Sequence, residues 1–200
     1  MRTRVGPIIS LRAPSTSMGG FTIFELVITM SIAAILMTLA MPAMRNFVQE
    51  QQDSSAASSL ISNLNYARSE AIKEDLPAGA GGGVSFCAST GGGANPTCDT
   101  ANWGNGWIVL SSANVVPLQV AGALGAGLTL DTFPANAAIV FQANGTAPGL
   151  VVGANSRVMF VICDARGAAF AREVEVSLTG IIQAAATPGF DVSGAAIGAC

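Results

Sequence analysis

Apolar residues are concentrated in one uninterrupted segment near the N-terminus. Residues 26–44 read LVITMSIAAILMTLAMPAM, nineteen positions without a charged side chain. As an α-helix this segment is about 28 Å long, close to the hydrocarbon thickness of a bilayer. It therefore predicts a membrane-spanning helix. A buried core helix is the weaker alternative, because core helices rarely stay apolar on every face over this length.

Beyond this segment the pattern becomes amphipathic. Apolar residues recur at spacings of three, four and seven, which is the period of one helical face. They are Phe47, Leu60, Ile61, Leu64, Ala67, Ala71 and Ile72, and the charged residues between them are Glu50, Asp53, Arg68, Glu70, Lys73 and Glu74. This pattern predicts one helix over 21–76, in which about 24–44 cross the membrane and 45–75 continue as an amphipathic stem. Leu76-Pro77 and the glycines that follow end it.

From residue 84 onward, short β-type runs alternate with Gly, Asn and Pro. In the run over 170–178, Phe170, Val174 and Val176 share one face and Glu173 and Glu175 the other, which is typical of a half-buried strand. Spacings near ten residues without helical patterns favour an antiparallel sheet. The predicted strands are Val84–Ala88, Trp107–Ser111, Val115–Val120, Leu128–Thr132, Ala138–Gln142, Arg157–Cys163, Phe170–Leu178 and Gly180–Gln183. The expected fold is α+β, a long N-terminal hydrophobic helix packed against an antiparallel β-sheet head over 77–200.

Composition removes most enzymatic functions. Half of the chain is hydrophobic, only 10% is charged, and histidine is absent. A charge-solvated disordered chain is excluded by these values. Without histidine, Ser–His–Asp and Cys–His nucleophile pairs and HExxH metal sites cannot be built. We therefore expect no catalytic residue, no cofactor and no metal.

Charge on the two sides of the apolar segment predicts its orientation. The first twenty residues contain Arg2, Arg4 and Arg12 and no acidic residue. Because the positive flank stays in the cytoplasm, everything after the span is expected outside it. A secretory signal peptide cut near Ala40 is the alternative, although its apolar core would be longer than the usual one.

The four cysteines favour disulfides over a metal site. Cys87, Cys98, Cys163 and Cys200 form no CxxC pair, so zinc is disfavoured. An exported segment permits disulfides, and four cysteines allow three connectivities. Proximity in the sequence favours Cys87–Cys98 and Cys163–Cys200, while a reduced chain with unpaired thiols remains an alternative.

One carboxylate stands at the start of the apolar helix. Glu25 follows Gly20-Phe21-Thr22 and directly precedes the uncharged segment. Ionisable groups at membrane depth are costly and usually have a partner. Cleavage between Gly20 and Phe21 would create a cationic α-amino group four residues before Glu25. Two neighbouring helices with an axial stagger could then pair the amine of one with the carboxylate of the other.

These residues resemble the signal of type IV pilins and type II secretion pseudopilins. The resemblance implies that residues 1–20 are a leader, longer than many in the family, which prepilin peptidase removes between Gly20 and Phe21. It further implies that Phe21 is N-methylated, that Glu25 serves assembly and that Pro42 bends the helix. The implied partners are other pilin-like subunits, prepilin peptidase, the inner-membrane assembly platform and membrane lipid.

The remainder of the chain resembles the GspH/FimT branch of minor pseudopilins in scattered pieces. The pieces are Asn65–Lys73, Trp103–Val109, Phe160–Cys163 and Arg172–Gly180. The resemblance implies a single-pass inner-membrane subunit with a periplasmic head, assembled into a type II secretion pseudopilus. A minor pilin of a type IV pilus and an unprocessed membrane-anchored binding protein remain alternatives. We expect the Trp-Gly motif at 103–107 to form a turn with core aromatics.

Some FimT-like minor pilins bind DNA through arginine directly after the glycine that corresponds to Gly180. Here Ile181-Ile182-Gln183 follows, and no arginine lies beyond Arg172. Without the leader, the chain has six Lys and Arg against twelve Asp and Glu, a net charge of −6. Because phosphate-backbone affinity needs several clustered cations, we expect no strong nucleic-acid binding.

Overall fold

A computed structural model describes residues 20–75, 82–91, 96–112, 117–135, 137–148, 157–198 and Cys200. The predicted leader lies outside these residues apart from Gly20, and so does the predicted helix end at Leu76-Pro77. The chain divides between Met44 and Arg45 into two units. Each unit is described by itself.

The helix α1 comprises Ile23–Glu74. In the first unit its large side chains are exposed, and it contains an 18-residue window of mean hydropathy 2.2, none of which is buried. It is the one helix among the described residues that is long and apolar enough to cross a membrane. In the second unit, which begins at Arg45, the rest of the helix packs against two antiparallel sheets.

The first sheet carries the disulfide loop and the tryptophans. Its strands are β1 (Val84–Ser89), β2 (Cys98–Asp99), β3 (Trp107–Ser111), β4 (Gln119–Val120) and β6 (Ile139–Phe141). The central strand β1 pairs with β3 along one edge and with both β2 and β6 along the other, and β4 pairs with β3. All pairs are antiparallel. Within the region predicted for 115–120, the structure describes only 117–120, and β4 occupies its last two residues.

The second sheet has the order β5-β7-β8-β9 and is also antiparallel. Its strands are β5 (Thr129–Phe133), β7 (Arg157–Cys163), β8 (Arg172–Ser177) and β9 (Ile182–Ala184). The prediction of a long helix packed on an antiparallel β head is thus confirmed. Phe170 lies outside β8, in a short 3-10 turn, so the strand begins two residues later than its apolar pattern suggests.

The core lies between the second half of α1 and the inner faces of both sheets. Leu60 and Leu64 are fully buried, and Ala67 and Ala71 continue the same stripe at helical spacing. Burying a leucine side chain stabilises a fold by about 1.5–3 kcal/mol. The stripe packs against residues of both sheets, among them Phe86, Ile139, Phe160, Val174 and Val176.

Two apolar positions of the predicted face do not belong to this core. Phe47 and Ile72 are 59% and 50% exposed. The buried stripe instead runs back from Leu60 through Ala57 to Asp53, all of which are buried. The helical face that contacts the sheets therefore keeps the predicted Leu60, Leu64, Ala67 and Ala71 but leaves out Phe47 and Ile72, and it includes a carboxylate.

The tryptophan motif forms a turn with core aromatics, as expected. Trp103 and Trp107 are both only 3% exposed, and residues 103–105 form a 3-10 turn between them. Trp103 contacts the Phe160 ring edge-on, with 5.2 Å between centroids. Gly106 has φ +90°, and a Cβ there would lie 2.2 Å from the carbonyl oxygen of Gly122. Only glycine fits this close approach.

Disulfides join Cys87 to Cys98 and Cys163 to Cys200, with Cα–Cα distances of 5.5 and 5.7 Å. The first closes the loop between β1 and β2. The second holds the C-terminal segment, which contributes Ile197 to an apolar cluster with Val161 on the outer face of the second sheet.

The C-terminal segment lies over the outer face of the second sheet and changes the surroundings of Glu173. The alternation of β8 places its side chain on the outer face, as predicted, but that face is not open to solvent there. Glu173 is only 2% exposed.

Candidate functional site

The predicted cleavage residues directly precede the helix. Gly20, Phe21 and Thr22 lie outside the helix, which begins at Ile23. Thr22 Oγ1 accepts a hydrogen bond from the Glu25 backbone N–H at 3.2 Å, and the Thr22 carbonyl accepts one from Leu26. Thr22 is therefore the N-cap, a role that its Thr-x-x-Glu spacing could have indicated.

Glu25 lies in the first turn of α1, where the free N–H groups of the helix favour a negative charge. Its carboxylate has no ion pair or hydrogen bond among the described residues. The neighbouring Phe21, Ile23 and Phe24 keep between 76% and 85% of their surface exposed. The helix thus begins with one unpaired carboxylate inside an exposed apolar surface, an arrangement that can accept an ammonium group.

The polar side chains of the apolar segment form hydrogen bonds with the backbone of their own helix. Thr29, Ser31 and Thr38 donate their hydroxyl hydrogens to carbonyls three or four residues earlier, at 2.7–2.9 Å. Such bonds remain favourable without water, which is the requirement for a helix in lipid. Pro42 lies within the helix bounds, and the bend assigned to it stays a prediction.

A cluster of charges, here called the Arg166 cluster, fastens the base of the stem to the head. It consists of Glu50, Asp53, Asp164, Arg166 and Arg172. Arg166 donates to Asp53 and to Asp164 at 2.6 Å each and lies 3.6 Å from a Glu50 oxygen. Arg172 donates to the same Glu50 carboxylate. The guanidinium of Arg166 also lies 4.5 Å from the centroid of the Phe170 ring.

The surroundings of Asp53 in the Arg166 cluster raise its pKa. Burial raises the pKa of Asp53, and the nearby Asp164 carboxylate adds to this rise, whereas Arg166 opposes it. One oxygen of Asp53, Oδ1, has no hydrogen-bond partner among the described residues. Arg166 is therefore the group in the cluster that favours the ionised form of Asp53.

Sequence reasoning missed this cluster. It placed Glu50 and Asp53 on polar faces of the helix, but Asp53 is 1% exposed. Asp53 precedes Ala57 and Leu60 by four and seven residues, so its helical face could have been read from spacing. Its partner Arg166 lies 113 residues away along the chain and carries no local signal.

The other charged groups of the stem are largely solvated or structural. Lys73 and Glu70 form an ion pair one turn apart on the surface of the stem. Arg68 donates from Nε to the carbonyl of Gly145 at 3.1 Å, and Gly180 packs against that same carbonyl. The structure thus brings the Asn65–Lys73 helix segment and the end of the Arg172–Gly180 segment together. The absence of strong DNA binding stays a prediction.

No group of three possible metal ligands occurs in the part of the chain that the structure describes. A cavity of about 490 Å³ lies between the polar side of the stem and the loop after β4. Its lining combines Gln52, Ser55 and Ser59 with Trp107 and a Gly- and Ala-rich loop. Histidine is absent from the whole sequence, and this lining holds no charged group.

Comparison with known proteins agrees with this geometry. The sequence profile of the family described as type II transport protein GspH matches residues 56–180. No curated protein is significantly similar to the chain. The crystal structure of the type IV minor pilin FimU from Pseudomonas aeruginosa, strain PAO1, is similar in two crystal forms. One shares 27% identity, covers 77% of this chain and 98% of FimU, and has a TM-score of 0.54. The other shares 28% identity, covers 74% and 98%, and has a TM-score of 0.51.

The family and the fold are those of structural pilin subunits rather than of enzymes. The family match covers the packed half of the stem, both tryptophans and the strands of the head as far as Gly180. The apolar N-terminal helix fits the single-pass inner-membrane anchor of such subunits. The chain belongs to the GspH family of pilin-like minor subunits.

Proposed function

We propose that the chain is a minor pseudopilin of a type II secretion pseudopilus. Prepilin peptidase would cut it between Gly20 and Phe21 and methylate the new α-amino group. The subunit would then leave the inner membrane, with its head in the periplasm, and enter a bundle of neighbouring helices. The observation that carries this proposal is the family match over residues 56–180, together with an unpaired Glu25 at the start of an exposed apolar helix.

Assembly follows from the chemistry of that helix. Its apolar surface can be covered by lipid before assembly and by other helices afterwards. In either surrounding, a lone carboxylate is costly. The α-amino group of an adjacent subunit would remove this cost if the two helices were staggered. Glu25 is thereby proposed as the residue that sets the axial position of each subunit.

The proposal for Glu25 is tested with Glu25→Ala and the matched control Ser31→Ala. Ser31 lies on the same helix, and its hydroxyl bonds only to its own backbone. We expect both variants to be cleaved normally, because the cleavage residues are unchanged. Glu25→Ala should enter sheared or cross-linked filaments at less than a tenth of the normal level, while Ser31→Ala enters normally. Normal incorporation of Glu25→Ala would contradict the pairing.

A type IV pilus is the second candidate, and the similarity to the minor pilin FimU favours it. The two systems differ in what is lost when the gene is deleted. A pseudopilin deletion leaves exoproteins in the periplasm and surface pili intact. A minor-pilin deletion removes surface pili and leaves exoprotein secretion intact. We expect the first result. The second result would show that the subunit belongs to a type IV pilus instead.

A further inference from the structure

A second, smaller cavity lies on the outer face of the second sheet, beneath the C-terminal segment. Its volume is about 290 Å³, near the lower end of typical ligand pockets. Phe133, Met159 and Val161 line it from β5 and β7, and Ile197 lines it from the C-terminal segment. Glu173 and Asp191 supply two carboxylates to this otherwise apolar lining. Phe133 is 41% exposed, so part of this lining lies at the surface of the head.

The carboxylate of Glu173 is buried and incompletely paired. The residue is 2% exposed, and its Oε1 atom has no hydrogen-bond partner among the described residues. The backbone N–H of Val192 donates a hydrogen bond to this carboxylate. One oxygen of Glu173 is thus left as a free acceptor in a largely apolar cavity, an arrangement that costs free energy unless a donor bonds to it.

The charged groups that face Glu173 do not supply that donor. Arg157 donates to Glu175 at 3.0 Å and is committed to it. Asp191 accepts from Ser193 Oγ and from the backbone N–H of Ala195, and these hydrogen bonds lower its pKa. Asp191 therefore stays ionised in the lining of the cavity and adds to its negative potential.

The segment that closes the cavity is held in place before any ligand binds. The Gly189 N–H donates to the Ala171 carbonyl at 2.8 Å, and the Ile197 N–H donates to the Gly189 carbonyl at 2.9 Å. The disulfide between Cys163 and Cys200 ties the end of the segment to β7. A preformed cavity of this kind loses little conformational entropy on binding.

We propose that this cavity binds the side chain of a lysine presented by a partner protein. The aliphatic stem of lysine suits the apolar lining, and its ammonium group is a compact donor for a single free oxygen. A guanidinium is a poorer fit, because its planar fork is best used by two oxygens. A metal ion is disfavoured, since no group of three metal-ligating side chains occurs among the described residues.

The size and charge of the cavity favour one side chain over a metabolite or a nucleic acid. Glu173, Glu175 and Asp191 outnumber Arg157 on this side of the head, and Asp131 lies on the same face opposite Val161. An anionic ligand would meet repulsion from every free group there. The inference is independent of which filament the subunit enters.

Binding should depend on pH because the ammonium requires an ionised partner. Burial, with smaller contributions from Asp191 and Glu175, raises the pKa of Glu173 to about 7, while Arg157 and the Val192 N–H oppose the rise. The ionised fraction of Glu173 then falls about tenfold from pH 8 to pH 6, since each pH unit below the pKa reduces it about tenfold. The affinity for the ammonium should fall by the same factor.

The test titrates the full chain in nonionic detergent with n-butylammonium chloride, which is the side chain of lysine alone. Binding is followed by the NMR amide shifts of Val161, Val192 and Ile197. We expect saturable shifts at pH 8 that weaken about tenfold at pH 6. n-Butanol, which has the same stem without the charge, should bind at least tenfold more weakly.

Two variants test whether the Glu173 carboxylate is responsible for the binding of n-butylammonium. Glu173→Gln keeps the shape of the side chain and should weaken n-butylammonium binding at least tenfold and remove its pH dependence. The matched control Asp131→Asn removes a carboxylate from the same face, where it is exposed and does not line the cavity. It should change the affinity less than threefold. Equal affinities for n-butanol and n-butylammonium, or for the wild type and Glu173→Gln, would overturn the proposal.

Discussion

Replacing Arg166 by glutamine tests how the stem is held to the head. The substitution removes the cation that bonds Asp53 and Asp164 at 2.6 Å. It leaves two carboxylates whose side chains are 2% and 4% exposed. Removing one member of a buried pair typically costs about 3–5 kcal/mol. Since Asp53 can take up a proton once its partner is lost, we expect the lower end, about 3 kcal/mol at pH 8.

Urea unfolding of the full chain in nonionic detergent measures this cost. Trp103 and Trp107 are buried in the head, so their fluorescence reports its unfolding. The matched control is Lys73→Gln, which breaks the Lys73–Glu70 pair on the surface of the same stem. Exposed pairs of this kind contribute little, and the control should leave the unfolding midpoint unchanged.

A double-mutant cycle isolates the contribution of the contact between Asp53 and Arg166. Asp53→Asn removes the charge that Arg166→Gln would strand, so the double variant should be more stable than the two single effects predict. We expect a coupling free energy of about 2 kcal/mol, within the range for directly contacting residues. Additive single effects, or an Arg166→Gln variant as stable as Lys73→Gln, would refute this account of the Arg166 cluster.

Three further predictions concern the head. Gly106→Ala should destabilise the head by about 3 kcal/mol, because the new Cβ would lie 2.2 Å from a carbonyl oxygen at a residue with positive φ. The control Gly104→Ala meets nothing within 4 Å and should change stability by less than about 0.5 kcal/mol. Thermal unfolding of both variants checks this. Cys200→Ser opens a disulfide that joins residues 37 apart and should cost about 4 kcal/mol in urea unfolding, and an unchanged midpoint would contradict it. Glu173 has a folded pKa of about 7, above its ordinary 4.5, so the folded state binds more protons between these values, and stability should fall by up to about 3 kcal/mol as pH rises from 5 to 8. Glu173→Gln should flatten that pH profile, and an unchanged slope would show that other groups produce it.

The sequence was informative wherever local pattern and covalent spacing decide the structure. Strands β3 and β7 occupy the residues predicted for them, because each is a continuous β-type run bounded by turn residues. The apolar helix was predictable because its nineteen uncharged residues form one continuous segment. The strand β2 was not, since Cys98–Asp99 has two residues and is positioned by pairing and a disulfide rather than by any pattern of its own.

The sites that depend on contacts between distant segments were harder to predict from the sequence. The residues of the N-terminal motif are neighbours in the sequence, so their chemistry could be read directly. Asp53 and Glu173 look like solvent-facing acids, because each is one carboxylate in an amphipathic pattern. Their burial is decided by Arg166 and by the C-terminal segment, and neither can be located from the residues around the acid.

The mature N-terminus tests the central proposal most directly. The full chain is expressed with a prepilin peptidase, isolated from membranes and measured by intact-mass and N-terminal peptide mass spectrometry. The account predicts a chain that begins at Phe21 and carries one methyl group on its α-amino nitrogen. A chain that retains residues 1–20, or one that begins after Ala40, would contradict it.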